Sequence, residues 1–166
     1  MSTITFKGGP VHTSGILPEV GTQLPDFTVT KNDLSELSLK DLLGKKLIIN
    51  IFPSLDTAVC AKSVRRFNEE GDHIHNLTIL CVSADLPFAQ SRFCATENLH
   101  NVITASIFRN PSFGEKLGVT INDGPLKGLL SRAIVVADER GKVIYTEQVH
   151  ELTDEPNYEH VLAIIR

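Results

Sequence analysis

Apolar residues gather in two β-rich runs, LIINIF (Leu47 to Phe52) and LTILCVS (Leu77 to Ser83). Such runs, lacking a strict polar alternation, read as strands buried on both faces of a sheet. Each leads into a stretch with helical character. The first spans about Thr57 to Glu70 and is closed by Gly71; the second spans about Pro87 to Glu97, where a proline suits the opening turn. Strand, helix and strand in that order predict a right-handed crossover and parallel pairing. Elsewhere the pattern is shorter. TITFKG and VHTSG alternate polar and apolar positions around Gly8-Gly9-Pro10 and predict a hairpin. DFTVT and VITAS read as further strands, Ser38 as the cap of a short helix over LKDLLG with Gly44 as its stop, and SFGEKLG as a short helix ended by Gly118. RAIVVAD, the turn ERGK and VIYTEQV form a second hairpin signal, and NYEHVLAIIR is an amphipathic final helix.

The order β-α-β followed by β-β-α is that of an α/β, thioredoxin-like fold: a central mixed sheet flanked by helices, here with an N-terminal β-hairpin. At 166 residues, with no repeat or linker, the whole chain is expected to form a single domain, residues 1–166. Composition narrows the function classes. A hydrophobic fraction of 42% with 22% charged residues is an ordinary globular mixture. A net charge of −4 gives no basic field for a phosphate backbone, so nucleic acid is not an expected partner. No segment approaches the roughly 20 apolar residues of a membrane helix, and the N-terminus lacks the apolar core of a signal peptide, so the expected location is cytoplasmic, with no membrane partner. Thiols stay reduced there, and Cys60, Cys81 and Cys94 contain no Cys-x-x-Cys pair, which points to individual roles.

Cys60 is placed for chemistry. A buried strand ending at Pro53 and feeding a helix sets the first helical turn at the carboxyl edge of the sheet, where open α/β folds carry their sites. Free backbone N–H groups and the helix dipole favour a thiolate there. Thr57, three residues earlier, can donate to that sulfur or hold a substrate oxygen, and Pro53 can close one wall of a pocket. Plainer roles exist for each: buried filler for a cysteine, helix cap for the threonine, strand terminator for the proline. Cys81, inside LTILCVS, reads as an inert core thiol. Cys94 sits on a helix that offers Ala89 and Phe93 to a core while Gln90, Glu97 and Asn98 face away. His73 and His75 form only an H-x-H pair, better read as solvated than as a zinc site. A Cys60–His150 dyad has no local support.

The segment PSLDTAVC carries the Pro-x-x-x-Thr-x-x-Cys signature of peroxiredoxins. DLPFAQSRFC (Asp85 to Cys94) and DGPLKGLLSRAIVV (Asp123 to Val136) resemble the bacterial thiol peroxidase branch, the atypical two-cysteine peroxiredoxins, and the likeness extends over essentially the whole chain. The resemblance implies that Cys60 is the peroxidatic cysteine, that Thr57 and Pro53 line its pocket, that Arg132 stabilises thiolate and peroxide, and that Cys94 is the resolving cysteine. It further implies reduction of hydrogen peroxide and organic hydroperoxides through an intramolecular Cys60–Cys94 disulfide, thioredoxin as reductant, a homodimer, and no cofactor or metal. From the residues alone, Arg132 is only an arginine opening a strand, although an always-charged guanidinium suits a thiolate attacking an O–O bond. Ala61 stands where many relatives have proline. No cysteine follows Cys94, which excludes a resolving cysteine on a partner's tail and leaves Cys94 or Cys81 for that role. A redox sensor built on the same switch, a disulfide reductase and a non-catalytic module are the rival functional readings.

Overall fold

The computed structural model describes residues 1–166. In chain order the elements are β1 (Thr3–Phe6), β2 (Gly9–His12), β3 (Thr28–Lys31), β4 (Glu36–Ser38), α1 (Leu39–Leu42), β5 (Lys46–Ile51), α2 (Ala58–Gly71), β6 (Leu77–Ser83), α3 (Pro87–Glu97), β7 (Ile103–Ser106), α4 (Ser112–Leu117), β8 (Ala133–Ala137), β9 (Val143–Gln148) and α5 (Tyr158–Ile165). Seven strands form one mixed sheet in the order β4-β3-β7-β6-β5-β8-β9, while β1 and β2 form a separate two-stranded ribbon. β5, β6 and β7 run parallel, as the crossover through α2 requires, and the remaining neighbours are antiparallel. This is the expected thioredoxin-like α/β architecture with an N-terminal hairpin.

The central strands are apolar at nearly every position because both faces of the sheet are covered. Leu47, Ile49 and Ile51 of β5 and Leu80 and Val82 of β6 point to the face covered by Leu39 and Leu42 of α1 and Phe113 and Leu117 of α4. Their neighbours Ile48, Ile79 and Cys81 point the other way, beneath Val64 and Phe67 of α2 and Val161 and Leu162 of α5. α2 is amphipathic: Cys60, Val64 and Phe67 are fully buried at helical spacing, whereas Lys62, Arg65 and Glu69 project outward. An edge-on contact of the Phe67 and Tyr158 rings, 5.5 Å between centroids, joins α2 to α5.

Three local expectations change. The N-terminal turn is Lys7-Gly8, both with positive φ (51° and 82°), so Gly9 and Pro10 belong to β2 and the loop is the two-residue type that matches strand twist. β4, only three residues long, was not expected. α1 ends at Leu42 and the backbone is already extended at Leu43, so Gly44 (φ 101°) serves the turn into β5 instead of capping the helix.

Candidate active site

β5 and β6 end side by side, Ile51 opposite Val82, and the chain beyond each strand carries polar groups that meet. Asp85 accepts hydrogen bonds from the Ser54 hydroxyl (2.7 Å), the Leu55 N–H (2.8 Å) and the Ser83 hydroxyl (2.7 Å). The 54–55 segment is thereby fixed to the end of β6. It delivers Thr57 to the N-cap of α2, where its hydroxyl accepts from the Cys60 N–H at 3.4 Å and donates to the Ser54 carbonyl at 3.1 Å. The threonine thus performs the capping role. Its proton is directed at the backbone, not at the sulfur.

Cys60 is fully buried in the first turn of α2. Its sulfur accepts from Nη2 of Arg132 at 3.3 Å, across 72 positions of sequence. Arg132, only 2% exposed, precedes β8 and is held by the Leu152 carbonyl, to which Nε donates at 3.0 Å and Nη2 at 2.8 Å. Nη1 is buried and has no partner. Arg132 forms part of the wall of a cavity of about 300 Å³ that is otherwise mostly apolar: Phe6, Pro53, Val59, Leu126 and Leu152 line it, together with Thr57 and Lys7. A guanidinium that touches a sulfur and keeps one free donor at such a cavity can hold a thiolate and present hydrogen to an oxygen beside it. The arginine reaches Cys60 because β8 pairs directly with β5.

The other cysteines sit differently, and all three are free thiols. Cys94, on α3, is half-buried, with its sulfur 3.3 Å from the Thr104 hydroxyl. That hydroxyl donates to Asn32 at 2.8 Å, so the cysteine S–H is the donor to Thr104. Cys81 is fully buried; burial pushes its thiol up to about 12, against a weaker opposing contact from the Asn50 amide. It is a neutral core group at physiological pH.

α3 offers Phe93 to the core and Asn98 to solvent as expected, but Gln90 does not face away. Gln90 is fully buried, with Nε2 donating to the Ser83 hydroxyl (3.1 Å) and the Ala105 carbonyl (2.8 Å), while Ala89 and Phe93 are only half-buried. The hydroxyl and carbonyl at the end of the sheet satisfy the amide NH2, while Oε1 is buried without a partner. His150 is exposed, and it is Arg132, not an imidazole, that donates to Cys60. His73 and His75 are exposed in the turn after α2, and no group of three or more His, Cys, Asp or Glu side chains is gathered as for a metal ion. Asp85, Ser54, Phe6 and Leu152 were not foreseen as parts of the site. Asp85 and Ser54 had a readable signal, since both are polar residues just beyond the carboxyl ends of adjacent parallel strands. Phe6 and Leu152 had none.

The chain is similar to several known proteins. The Redoxin family model matches residues 19–162. A thiol peroxidase of Corynebacterium glutamicum is 49% identical over 165 residues, 99% of each chain. The crystal structure of a peroxiredoxin-like protein from Aquifex aeolicus superposes with a TM-score of 0.94 at 41% identity, covering 99% of this chain and 96% of that one. A thiol peroxidase from Chromobacterium violaceum shares the fold, with a TM-score of 0.87 at 22% identity over 97% of this chain and 93% of its own.

Proposed function

The chain belongs to the Redoxin family, as a peroxiredoxin enzyme of the thiol peroxidase kind that reduces peroxides by thiol chemistry, and from that premise we propose that Cys60 is its peroxidatic cysteine and Cys94 its resolving one. The observation that carries the reading is the Arg132 guanidinium, 3.3 Å from the Cys60 sulfur with Nη1 unpartnered beside an apolar cavity. The Cys60 thiolate attacks one oxygen of the hydroperoxide, the O–O bond breaks, and the leaving oxygen departs with a proton as water or an alcohol. Cys60 is left as a sulfenic acid. Nη1 donates to the peroxide oxygen as charge develops on it, and Nη2 holds the sulfur. Thr57 fixes the first turn of α2 by capping, and Pro53 closes the pocket. The apolar lining by Phe6, Leu126 and Leu152 supports organic hydroperoxides as substrates alongside hydrogen peroxide.

The Cys94 thiol then condenses with the sulfenic acid, forming the Cys60–Cys94 disulfide and releasing water; an external dithiol, thioredoxin, returns both thiols by exchange. A disulfide needs Cα atoms about 5.5–6 Å apart. Cys60 is enclosed in α2 and Cys94 is tied to Thr104. The first turn of α2 or the helix carrying Cys94 therefore unwinds during the cycle, and amide exchange in these segments differs between reduced and oxidised enzyme. The protein acts as a homodimer, a reading supported by the exposed Leu86 and Phe88 at the start of α3 and Phe108 just beyond β7. Turnover of hydrogen peroxide and cumene hydroperoxide with a thioredoxin system tests the function. Cys60→Ser abolishes it, and activity retained in that variant refutes the assignment.

A further inference from the structure

The N-terminal hairpin contributes Phe6 and Lys7 to the cavity wall although it lies outside the main sheet. Its body is secured twice over. The Thr5 N–H donates to the His150 carbonyl (2.7 Å), the Leu152 N–H donates to the Thr5 carbonyl (2.8 Å), and Ile4 and Val11 pack on Ile121 and Leu152. Its tip has a different anchor, the carboxylate of Glu151. That group accepts from the Gly8 N–H (2.8 Å), the Lys7 N–H (3.2 Å) and the Thr5 hydroxyl (3.0 Å), and from the N–H and hydroxyl of Thr153 (2.9 Å each). Lys7 and Gly8 both have positive φ, so their successive N–H groups form a small anion-binding concavity around one carboxylate. The next residue, Leu152, supplies the carbonyl that orients Arg132. A single short loop therefore holds both the guanidinium and the hairpin tip, and residues of both line the cavity.

We propose that Glu151 is a positioning residue for substrate selectivity: its carboxylate latches the Lys7-Gly8 tip so that Phe6 and Lys7 form a fixed wall against the organic part of a hydroperoxide. The inference rests on the assignment of Cys60 above. Hydrogen peroxide needs only the sulfur and the Arg132 donor. A bulky hydroperoxide reaches those same atoms with its organic group lying against Phe6, Leu126 and Leu152, and a wall that moves gives up part of that contact. The latch acts through the hairpin and touches neither peroxide oxygen nor sulfur.

The test is single-turnover stopped-flow kinetics of the reduced full-length protein with cumene hydroperoxide and with hydrogen peroxide, for wild type and Glu151→Gln, with amide exchange at Lys7 and Gly8 as the structural readout. The glutamine keeps one accepting oxygen and sets an NH2 group against backbone donors. The ratio of the two rate constants, organic over hydrogen peroxide, is expected to fall by about fivefold, the scale of one ordinary hydrogen bond lost, while exchange at the tip accelerates. Should Glu151→Gln fail to fold, Gly8→Ala loosens the same turn through its left-handed φ, with open space around the added carbon, and the same fall is expected. A proportional fall of both rate constants, or an unchanged ratio with the tip mobile, overturns the latch. A wild type inert to both peroxides overturns the Cys60 assignment and the latch with it, whereas a reactive wild type whose selectivity the variant preserves overturns the latch alone.

Discussion

Replacing Arg132 by methionine separates two things the side chain does. The guanidinium donates twice to the Leu152 carbonyl and once to the Cys60 sulfur, and it keeps Nη1 free. Methionine has similar reach and no donor, so the variant leaves the carbonyl of a residue 2% exposed without its partner. That costs about 1–3 kcal/mol of folding stability. A domain with roughly 5–15 kcal/mol to lose stays folded. The catalytic loss is larger, because both donors that face charge in the transition state disappear. One such donor is worth about 100- to 1,000-fold in rate, so a fall of at least about 100-fold in the single-turnover rate constant is expected. Stopped-flow measurement with the reduced protein reads the rate, and urea unfolding followed by circular dichroism reads the stability. If the stability falls as expected but the rate drops by less than about tenfold, Arg132 is only a structural tie to the 149–153 loop and the proposed role is refuted.

Asp85→Asn turns an accepting oxygen into a donor facing the Leu55 N–H. A loss of about 1–3 kcal/mol is expected, together with faster amide exchange over residues 54–58 and slower reaction with peroxide; exchange unchanged from wild type contradicts the anchoring role. In native reduced protein near pH 7, alkylation is expected to spare Cys81, whose thiol burial holds at about 12, until denaturant is added, and rapid labelling of Cys81 contradicts that placement. Glu151 is held down to about 2, chiefly by the Thr153 N–H and then the Gly8 N–H. A depressed carboxylate stabilises above its ordinary value of 4.5 and loses that contribution as pH falls from there toward 2. The protection of the Lys7 and Gly8 amides, relative to their intrinsic exchange rates at each pH, should therefore fall across that window before that of the rest of the hairpin; tip and body loosening together contradicts the local latch.

Much of this molecule was legible in the chain. α2 is marked at its start by a capping threonine and along its length by Cys60, Val64 and Phe67 at helical spacing, and the two β-rich runs announced the parallel centre. Pro87 marks the start of α3 and Phe93 packs on the core as its pattern implies, but Gln90 is buried, because the rule that polar residues face water ignores a hydroxyl and a carbonyl at the sheet's end. β4 escaped because three residues carry too little pattern to stand out. The partnership of Arg132 with Cys60 is beyond local reading altogether. It arises from β8 lying next to β5, a pairing of segments some 85 positions apart whose register no periodicity encodes. Family resemblance named the arginine, and the antiparallel pairing explains how it arrives. The hairpin wall and its Glu151 clasp likewise depend on the two ends of the chain meeting, which only the folded structure reveals.

The most direct test of the account is intact and peptide mass spectrometry of the reduced protein after one equivalent of an organic hydroperoxide, with Cys60→Ser and Cys94→Ser in parallel. A Cys60–Cys94 disulfide in the wild type, with sulfenic or higher oxides confined to Cys60 when Cys94 is absent, is the predicted result. A disulfide involving Cys81, or a Cys60 that stays reduced, contradicts it.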